Sequence, residues 1–191
     1  MGPSAATAKI VIADTSPIRC FVEAGAQRAF AAYFGERILI TLDVARELEE
    51  ACVYVPGLLA FLGTWPAAQA PVDLPVELKL KAADILGFVA DDPRASLQDL
   101  GEVTSILMAQ HLRDAGQCQD PLLLVDDQRH GKALAAVRGL TIIDTPRLII
   151  EMVCAGAMSR PLGAKVWRVA FSDRSKWPLF DERINAALAG R

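Results

Sequence analysis

The chain has 191 residues and a mass of 20.6 kDa, which suits one domain with a core that needs no staples. Apolar residues make up 52% of it, but charges and prolines interrupt every apolar run before the roughly 18 residues that a membrane span needs. The net charge of -3 argues against binding to nucleic acid by bulk charge alone, and four scattered cysteines with no signal peptide before Lys9 predict a cytoplasmic protein without disulfides.

The first predicted strand ends in a carboxylate. Residues 1–8 are small and polar, and we expect a disordered lead-in there. The apolar run at residues 10–13 predicts a buried strand, Asp14 follows it, and Thr15-Ser16-Pro17 predicts a helix start. Taken alone, Asp14 is best explained as a helix cap. The end of a parallel strand is also where open α/β sheets hold their ligands, so a functional role stays open.

A second carboxylate lies at the margin of an apolar stripe. After a strand at residues 38–41, the pattern predicts a helix that is opened by Asp43 and runs to about Val55. Among the acids of this helix beyond its cap, Glu47 lies nearest to the apolar stripe. Glu47 is therefore either a solvated residue at the stripe margin or an acid directed into a cleft.

A third acidic position opens a long helix. A helix is predicted over residues 76–90, and another runs from about Asp99 to Ala115. The start of the second helix is a capping box, with Asp99 as the cap and Glu102 reaching back, so both acids have a structural explanation. Gly101 does not, because Gly costs about 1 kcal/mol relative to Ala inside a helix. We expect another group to approach the Gly101 backbone closely.

The fourth acidic position follows the most apolar strand. Leu122-Leu123-Leu124-Val125 predicts a strand that is buried on both faces, and Asp126 and Asp127 come directly after it. A helix, a strand and a helix then follow, over residues 128–138, 140–143 and 144–155. Because strands alternate with helices, we expect an α/β fold with a parallel sheet covered on both sides.

Residues 159–191 differ in character from the domain predicted over residues 9–158. Four aromatic residues crowd together in this extension: Trp167, Phe171, Trp177 and Phe180. A short helix is predicted near residues 181–188. We expect either a tail docked on the domain or an appendage whose aromatic surface binds a partner, a second copy of the chain included.

The acids at these positions can all reach one cleft at the carboxyl edge of a parallel sheet. Four or five carboxylates do not stay ionised together without cations, because like charges raise one another's pKa. A ligand set made only of oxygens favours Mg²⁺ or Mn²⁺. Such a site binds phosphate oxygens and activates water, which predicts phosphodiester hydrolysis.

Four short motifs follow one another over residues 9–155: Ile12-Ala13-Asp14-Thr15-Ser16-Pro17, Val44-x-x-Glu47, Asp99-x-Gly101-Glu102 and Leu124-Val125-Asp126-Asp127. In order and spacing they resemble the PIN-domain family, and most closely its VapC-like prokaryotic branch. The resemblance implies a three-layer α/β/α sandwich with a mainly parallel sheet. It also implies a Mg²⁺- or Mn²⁺-dependent endoribonuclease, often a homodimer and often the toxin of a toxin–antitoxin pair.

The resemblance also assigns roles to individual residues. Four acids match the catalytic positions of the family: Asp14, Glu47, Glu102 and Asp127. The implied metal ligands are Asp14, Glu102, Asp126 and Asp127. Three basic residues within about a turn of these acids are candidates for binding substrate phosphates, although each is also explained as a surface charge: Arg19, Arg129 and Lys132. A restraining antitoxin-like protein would offer an Arg or Lys to the acids in place of the metal.

Two departures from the family pattern keep other functions open. Relatives often carry an Arg beyond the Asp pair, where this chain has His130-Gly131, and a Gly-Thr after the last strand, where it has Asp144-Thr145. The alternatives are a PIN-like scaffold that binds RNA or protein without cutting it, and a metal-dependent DNA nuclease.

Overall fold

A four-stranded parallel sheet forms the centre of the computed structural model, which describes residues 10–64, 70–87, 100–126 and 131–190. Its strands are β1 (Val11–Ala13), β2 (Ile38–Leu39), β3 (Leu122–Leu124) and β4 (Thr141–Ile143). They lie side by side in the order β2-β1-β3-β4, and each neighbouring pair is parallel. The predicted α/β class with a parallel sheet is therefore confirmed.

Ten α-helices surround the sheet within the described ranges. They are α1 (Thr15–Glu23), α2 (Gln27–Phe34), α3 (Leu42–Ala51), α4 (Leu58–Gly63), α5 (Val76–Leu86), α6 (Leu100–Asp114), α7 (Gly131–Val137), α8 (Thr145–Cys154), α9 (Arg160–Ala170) and α10 (Leu179–Ala189). Among these helices none combines the length and the apolar character that a membrane crossing requires.

The start of α3 differs from the prediction. Asp43 was expected to open this helix, but the cap is Thr41, whose side-chain oxygen accepts a hydrogen bond from the backbone N–H of Val44 at 3.3 Å. Thr41 has an extended backbone, as a cap residue must, whereas Asp43 already lies inside the first turn. The helix also ends at Ala51, before the predicted Val55.

Helices cover both faces of the sheet. Along β1, Val11 and Ala13 face one core while Ile12 between them faces the other, as the alternation of a strand requires. The first core is built with α1 to α4 and α8 to α10, and the second with α5, α6 and α7. This arrangement is a helix–sheet–helix sandwich.

The extension forms two helices that share the first core. Helix α9 packs on α1 and α8, and α10 packs on α8. Trp167 has no exposed surface and Phe180 is 2% exposed, so these two rings do not form the predicted partner-binding surface. Helix α9 was not predicted, although Ser159 followed by Pro161 is a helix-start signal.

Candidate active site

Asp14 is a buried acid at the carboxyl edge of the sheet. It follows β1 directly, its backbone N–H donates to the carbonyl of Leu124 at 3.0 Å, and its side chain makes no capping hydrogen bond with helix α1. Only 7% of the residue is exposed. The pKa of Asp14 is raised from 3.8 to about 7, mainly by burial and also by the nearby charges of Glu47 and Asp126, while the backbone amides of Thr15 and Ser16 oppose the rise.

The side chain of Glu47 points toward the same carboxyl edge of the sheet. Its Oε1 accepts a hydrogen bond from the backbone N–H of Gly101 at 2.8 Å, and its Oε2 accepts one from the hydroxyl of Thr15. Burial raises the pKa of Glu47, and these two hydrogen bonds oppose that rise. Glu49 and Glu50, on the same helix, are exposed. Of the two explanations left open by the sequence, the acid directed inward is the one observed.

The sequence predicted that another group approaches the Gly101 backbone closely, and this group is the carboxylate of Glu47. A Cβ at this position would lie 2.6 Å from Oε1 of Glu47 and 2.8 Å from its Oε2, so the contact requires a residue without a side chain. Gly101 sits in the first turn of α6, where the backbone N–H groups have no partner inside the helix and attract carboxylates. The absence of a side chain at Gly101 therefore lets the carboxylate of Glu47 bind at the start of α6.

Two buried threonines hold the helices that carry this contact. The hydroxyls of Thr41, at the start of α3, and Thr104, in α6, lie 3.1 Å apart, and Thr104 also donates to the carbonyl of Gly101 at 3.1 Å. Both residues are nearly or fully buried. The pair fixes α3 against α6 and thereby sets the position of Glu47 relative to Gly101.

Glu102 follows Gly101 in the first turn of α6 and is 5% exposed. Helix α6 packs on α3, β1 and β3, so this acid is carried toward the sheet. An acid that served only to cap the helix would normally face water. Asp99, the other half of the predicted capping box, lies outside the described residues.

Asp126 anchors the start of another helix. One of its carboxylate oxygens accepts from the backbone N–H of Thr145 and the other accepts from the hydroxyl of the same residue, each at 2.7 Å. Thr145 is fully buried at the start of α8, where Asp144 caps the helix by accepting from the N–H of Arg147 at 3.0 Å. Asp126 thus joins β3 to α8, while its charge acts on Asp14.

The charge of Asp126 also acts on Cys20. Burial raises the pKa of this thiol to about 12, with Asp126 as the next largest cause. A thiol in this environment stays protonated at neutral pH and is a poor nucleophile. Cys20 is therefore a packing residue of α1, placed against the hydrophobic core.

The basic candidates are less well placed than the acids. Arg19 is half-exposed and forms an ion pair with Glu23 one turn further along α1, at 3.5 Å. Asp127, Arg129 and the side chain of Lys132 lie outside the described part of the structure. Among the predicted acids, Glu47 and Asp126 both act on Asp14 and help to raise its pKa.

Two residues of the site were missed from the sequence. The hydroxyls of Thr15 and Thr145 position Glu47 and Asp126, respectively. Each threonine follows an acid that ends a strand, Asp14 in one case and Asp144 in the other. This repeated Asp-Thr pair at a strand-to-helix junction is the signal that could have identified them.

Among the described residues, no three His, Cys, Asp or Glu side chains form a group that could hold a metal ion. Asp14, Glu102 and Asp126 are among these residues, whereas Asp127, which the resemblance includes among the ligands, lies outside them. Comparison of the chain with family models, with curated proteins and with solved structures finds no match. The function has to be argued from the site itself.

Proposed function

We propose that this protein is a PIN-type ribonuclease that hydrolyses RNA phosphodiester bonds with Mg²⁺ or Mn²⁺. The observation that carries the proposal is the buried carboxylate of Asp14 at the carboxyl edge of the sheet, near enough to Glu47 and Asp126, from two distant parts of the chain, for both of their charges to act on it. Structural caps are spread over a protein surface, whereas acids gathered at one strand edge are typical of a site.

The donor set fits a hard divalent cation. Every candidate ligand is a carboxylate, which is the chemistry that Mg²⁺ and Mn²⁺ select. The pKa of Asp14 is raised by burial and by two neighbouring carboxylates, and a cation would relieve both causes. Four acids would hold the ion: Asp14, Glu102, Asp126 and Asp127.

A bound ion of this kind supplies Lewis-acid stabilisation of the phosphoryl oxygens and a water of lowered pKa. The side chains contribute binding and orientation. Asp14, directly after β1, offers a ligand whose backbone is held by its hydrogen bond to the carbonyl of Leu124. Glu47 keeps one oxygen on Gly101 and one on Thr15, so its carboxylate is oriented before substrate binds.

Incubation of the purified protein with single-stranded and looped RNAs in Mn²⁺ tests the proposal. We expect wild-type protein to cut RNA and Asp14→Asn, purified in the same way, to lose cleavage while keeping its fold. Weak cleavage that is identical in the two preparations would come from a contaminant and would sink the proposal. The same assay with single-stranded and flap DNA decides whether the substrate is DNA instead.

A second candidate function is a PIN-like scaffold that binds without cutting. It is favoured by the fact that both oxygens of Glu47 and both oxygens of Asp126 already accept hydrogen bonds from the protein. Tight RNA binding by wild-type protein that never cleaves in Mn²⁺ or Mg²⁺ would select this function.

The proposed nuclease is a cytoplasmic homodimer restrained by an antitoxin-like protein that lays an Arg or Lys across the acids. Support for an apolar interface comes from Val53, Tyr54 and Leu59, which are between 72% and 81% exposed around the α3–α4 connection. Light scattering gives the oligomeric state.

The toxin role has its own test. A short DNA-binding-protein gene beside this one would support the toxin role, and overexpression that leaves growth unchanged would remove it.

A further inference from the structure

Four exposed cations lie on α9, on α10 and on the connection between them. We call this set the basic cluster: Arg168, Arg174, Lys176 and Arg183. In the part of the chain that the structure describes, none of the four forms an ion pair. The charge of Lys176 acts on Asp173, whose pKa it helps to lower, and the charges of the three arginines are available to an anionic ligand.

Aromatic rings hold these cations in place. The guanidinium carbons of Arg168 and Arg174 lie 5.6 Å and 5.4 Å from the ring centroid of Trp177. Lys176 lies 5.3 Å from the ring of Phe171, and Arg183 lies 5.7 Å from the ring of Trp167. A cation held over a ring keeps its full charge but loses conformational freedom, which lowers the entropic cost of binding an anion.

The rings themselves are fixed. The indole N–H of Trp177 donates to the carbonyl of Phe171, and that of Trp167 donates to the carbonyl of Lys176, each at 3.0 Å. These bonds tie the connection after α9 back onto the helix. The basic cluster is consequently mounted on an ordered framework.

A pocket of about 320 Å³ opens between Arg168, Arg174 and Trp177. The acid on its wall, Asp181, is occupied by Arg160, whose guanidinium donates to it at 2.7 Å and 2.9 Å. The two remaining arginines give the pocket a positive charge. Their planar groups match the oxygens of a phosphate.

Charge is distributed unevenly along the chain. Residues 159–191 contain seven Lys and Arg against three Asp and Glu, whereas residues 1–158 contain 13 against 20. The acids at the carboxyl edge of the sheet repel a polyanion unless cations elsewhere on the protein compensate their negative charge. Helix α9 packs on α1 and α8, the two helices that begin at Thr15 and Thr145 in the candidate site.

We propose that the basic cluster binds the phosphate backbone of single-stranded RNA, outside the acidic site, and so retains the substrate of the proposed nuclease. The identity of the polymer rests on that proposed function. A membrane surface fits less well, because interfacial helices need an exposed apolar face. Helices α9 and α10 bury Trp167 and Phe180 in the core instead.

Fluorescence anisotropy of a labelled, unstructured 20-nucleotide RNA in EDTA and increasing KCl tests the inference on the full chain. The variant is Arg168→Gln with Arg174→Gln. Its matched control removes two exposed cations elsewhere, Arg28→Gln with Lys81→Gln. We expect the first variant to weaken binding by about tenfold at 0.1 M KCl and to reduce the slope of log K against log salt by about 1.4, and the control to change neither.

A second pair, Lys176→Gln with Arg183→Gln, should weaken binding in the same way. Equal losses in the basic-cluster variants and the control would mean bulk charge and would overturn the inference, as would unchanged binding in both basic-cluster variants. Loss of binding to phosphatidylserine vesicles with unchanged RNA binding would also overturn it. RNA that is bound through the basic cluster but never cut in Mn²⁺ would refute the proposed nuclease and leave this inference standing.

Discussion

Glu47 and Gly101 make a contact that only a glycine permits, because a Cβ at position 101 would lie 2.6 Å from the carboxylate oxygen that the Gly101 N–H now holds at 2.8 Å. In Gly101→Ala the flexible end of Glu47 must move away. We expect RNA cleavage to fall by about 100-fold, as misplacement by about 1 Å does in other enzymes. The free energy of unfolding should change by only about 1 kcal/mol, since Ala favours the helix.

The matched control is Gly63→Ala. Gly63 is also helical, but among the described residues no atom beyond its chain neighbours and its own helix backbone lies within 4 Å of the position its Cβ would take. We expect cleavage at the wild-type rate in this variant. Full activity in Gly101→Ala would show that the hydrogen bond between Gly101 and Glu47 has no part in catalysis.

The raised pKa of Asp14 predicts how stability depends on pH. In metal-free protein, the folded state keeps a proton on Asp14 up to about pH 7, whereas the unfolded chain loses it near the ordinary value of 3.8. The folded state binds more protons in this window, so the free energy of unfolding falls as the pH rises from about 4 to 7. Asp14→Asn should be more stable than wild type at pH 8, by up to about 4 kcal/mol, and equal to it near pH 3.

Urea unfolding in EDTA at several pH values measures this difference. The comparison of the two proteins at pH 3 is the internal control, because Asp14 is largely protonated in both states there. Wild-type and Asp14→Asn curves that run parallel from pH 4 to 8 would contradict the buried, crowded environment of Asp14.

Asp126 and Thr145 should be strongly coupled. In Asp126→Asn, an amide NH₂ replaces one of the two oxygens that accept from Thr145, so we expect a loss of about 1–3 kcal/mol in the free energy of unfolding. Thr145→Val should cost less when Asp126 is already changed, which a double-mutant cycle measures. The exposed pair of Asp120 and Thr141 is the control, and Asp120→Asn should cost less than about 0.5 kcal/mol. Additive losses for Asp126 and Thr145 would disprove the coupling.

Divalent metal should stabilise the fold by mass action. At an Mn²⁺ concentration 100 times the dissociation constant, the gain is about 2.7 kcal/mol, which a thermal melt detects and EDTA reverses. Glu102→Gln should reduce the gain because it removes a proposed ligand. Glu23→Gln, on the surface of α1 and paired with Arg19, should leave it unchanged. An equal gain in wild type and Glu102→Gln would remove Glu102 from the ligand set.

Helices α8 and α9 meet at Gly163. A Cβ there would lie 2.7 Å from Cγ2 of Val153 and 3.2 Å from Cζ of Phe180. Gly163→Ala should therefore lower the free energy of unfolding by about 1–3 kcal/mol through overpacking. Adding Val153→Ala makes room and should restore part of the loss, as chemical denaturation would show. A double variant no more stable than Gly163→Ala would mean that the helices do not meet here as described.

The parts of the fold that follow from local pattern were predictable. Buried parallel strands are short unbroken apolar runs, so β1 and β3 were visible in the sequence before Asp14 and Asp126. The cap of α3 was not, because Thr41 and Asp43 are both good caps and only the backbone conformation at Thr41 decides between them. Helix α9 was not predictable either, because its apolar stripe is short and lies among basic residues. That stripe is buried only through packing on α1 and α8.

The positions of the acids in the candidate site follow from the sequence, but their contacts do not. The stripe margin indicated the direction of Glu47, and the cost of a helical glycine indicated a close approach at Gly101. That these two residues are partners is a long-range fact, since 54 positions separate them and no local spacing encodes it. The same holds for the hydrogen bonds from Thr15 to Glu47 and from Thr145 to Asp126.

During synthesis, the residues of β2 follow soon after those of β1, so these two strands can pair early. Pairing of β1 with β3 has to wait until the chain has been made as far as Leu124. At a translation rate of about 5–20 residues per second, Asp14 waits on the order of ten seconds before Asp126 is added. Pairing strands so far apart is also slow, because loop closure must precede it. We expect the carboxyl edge that carries Asp14 and Asp126 to be among the last parts to assemble, so that a nascent chain stalled before β3 lacks the proposed nuclease site.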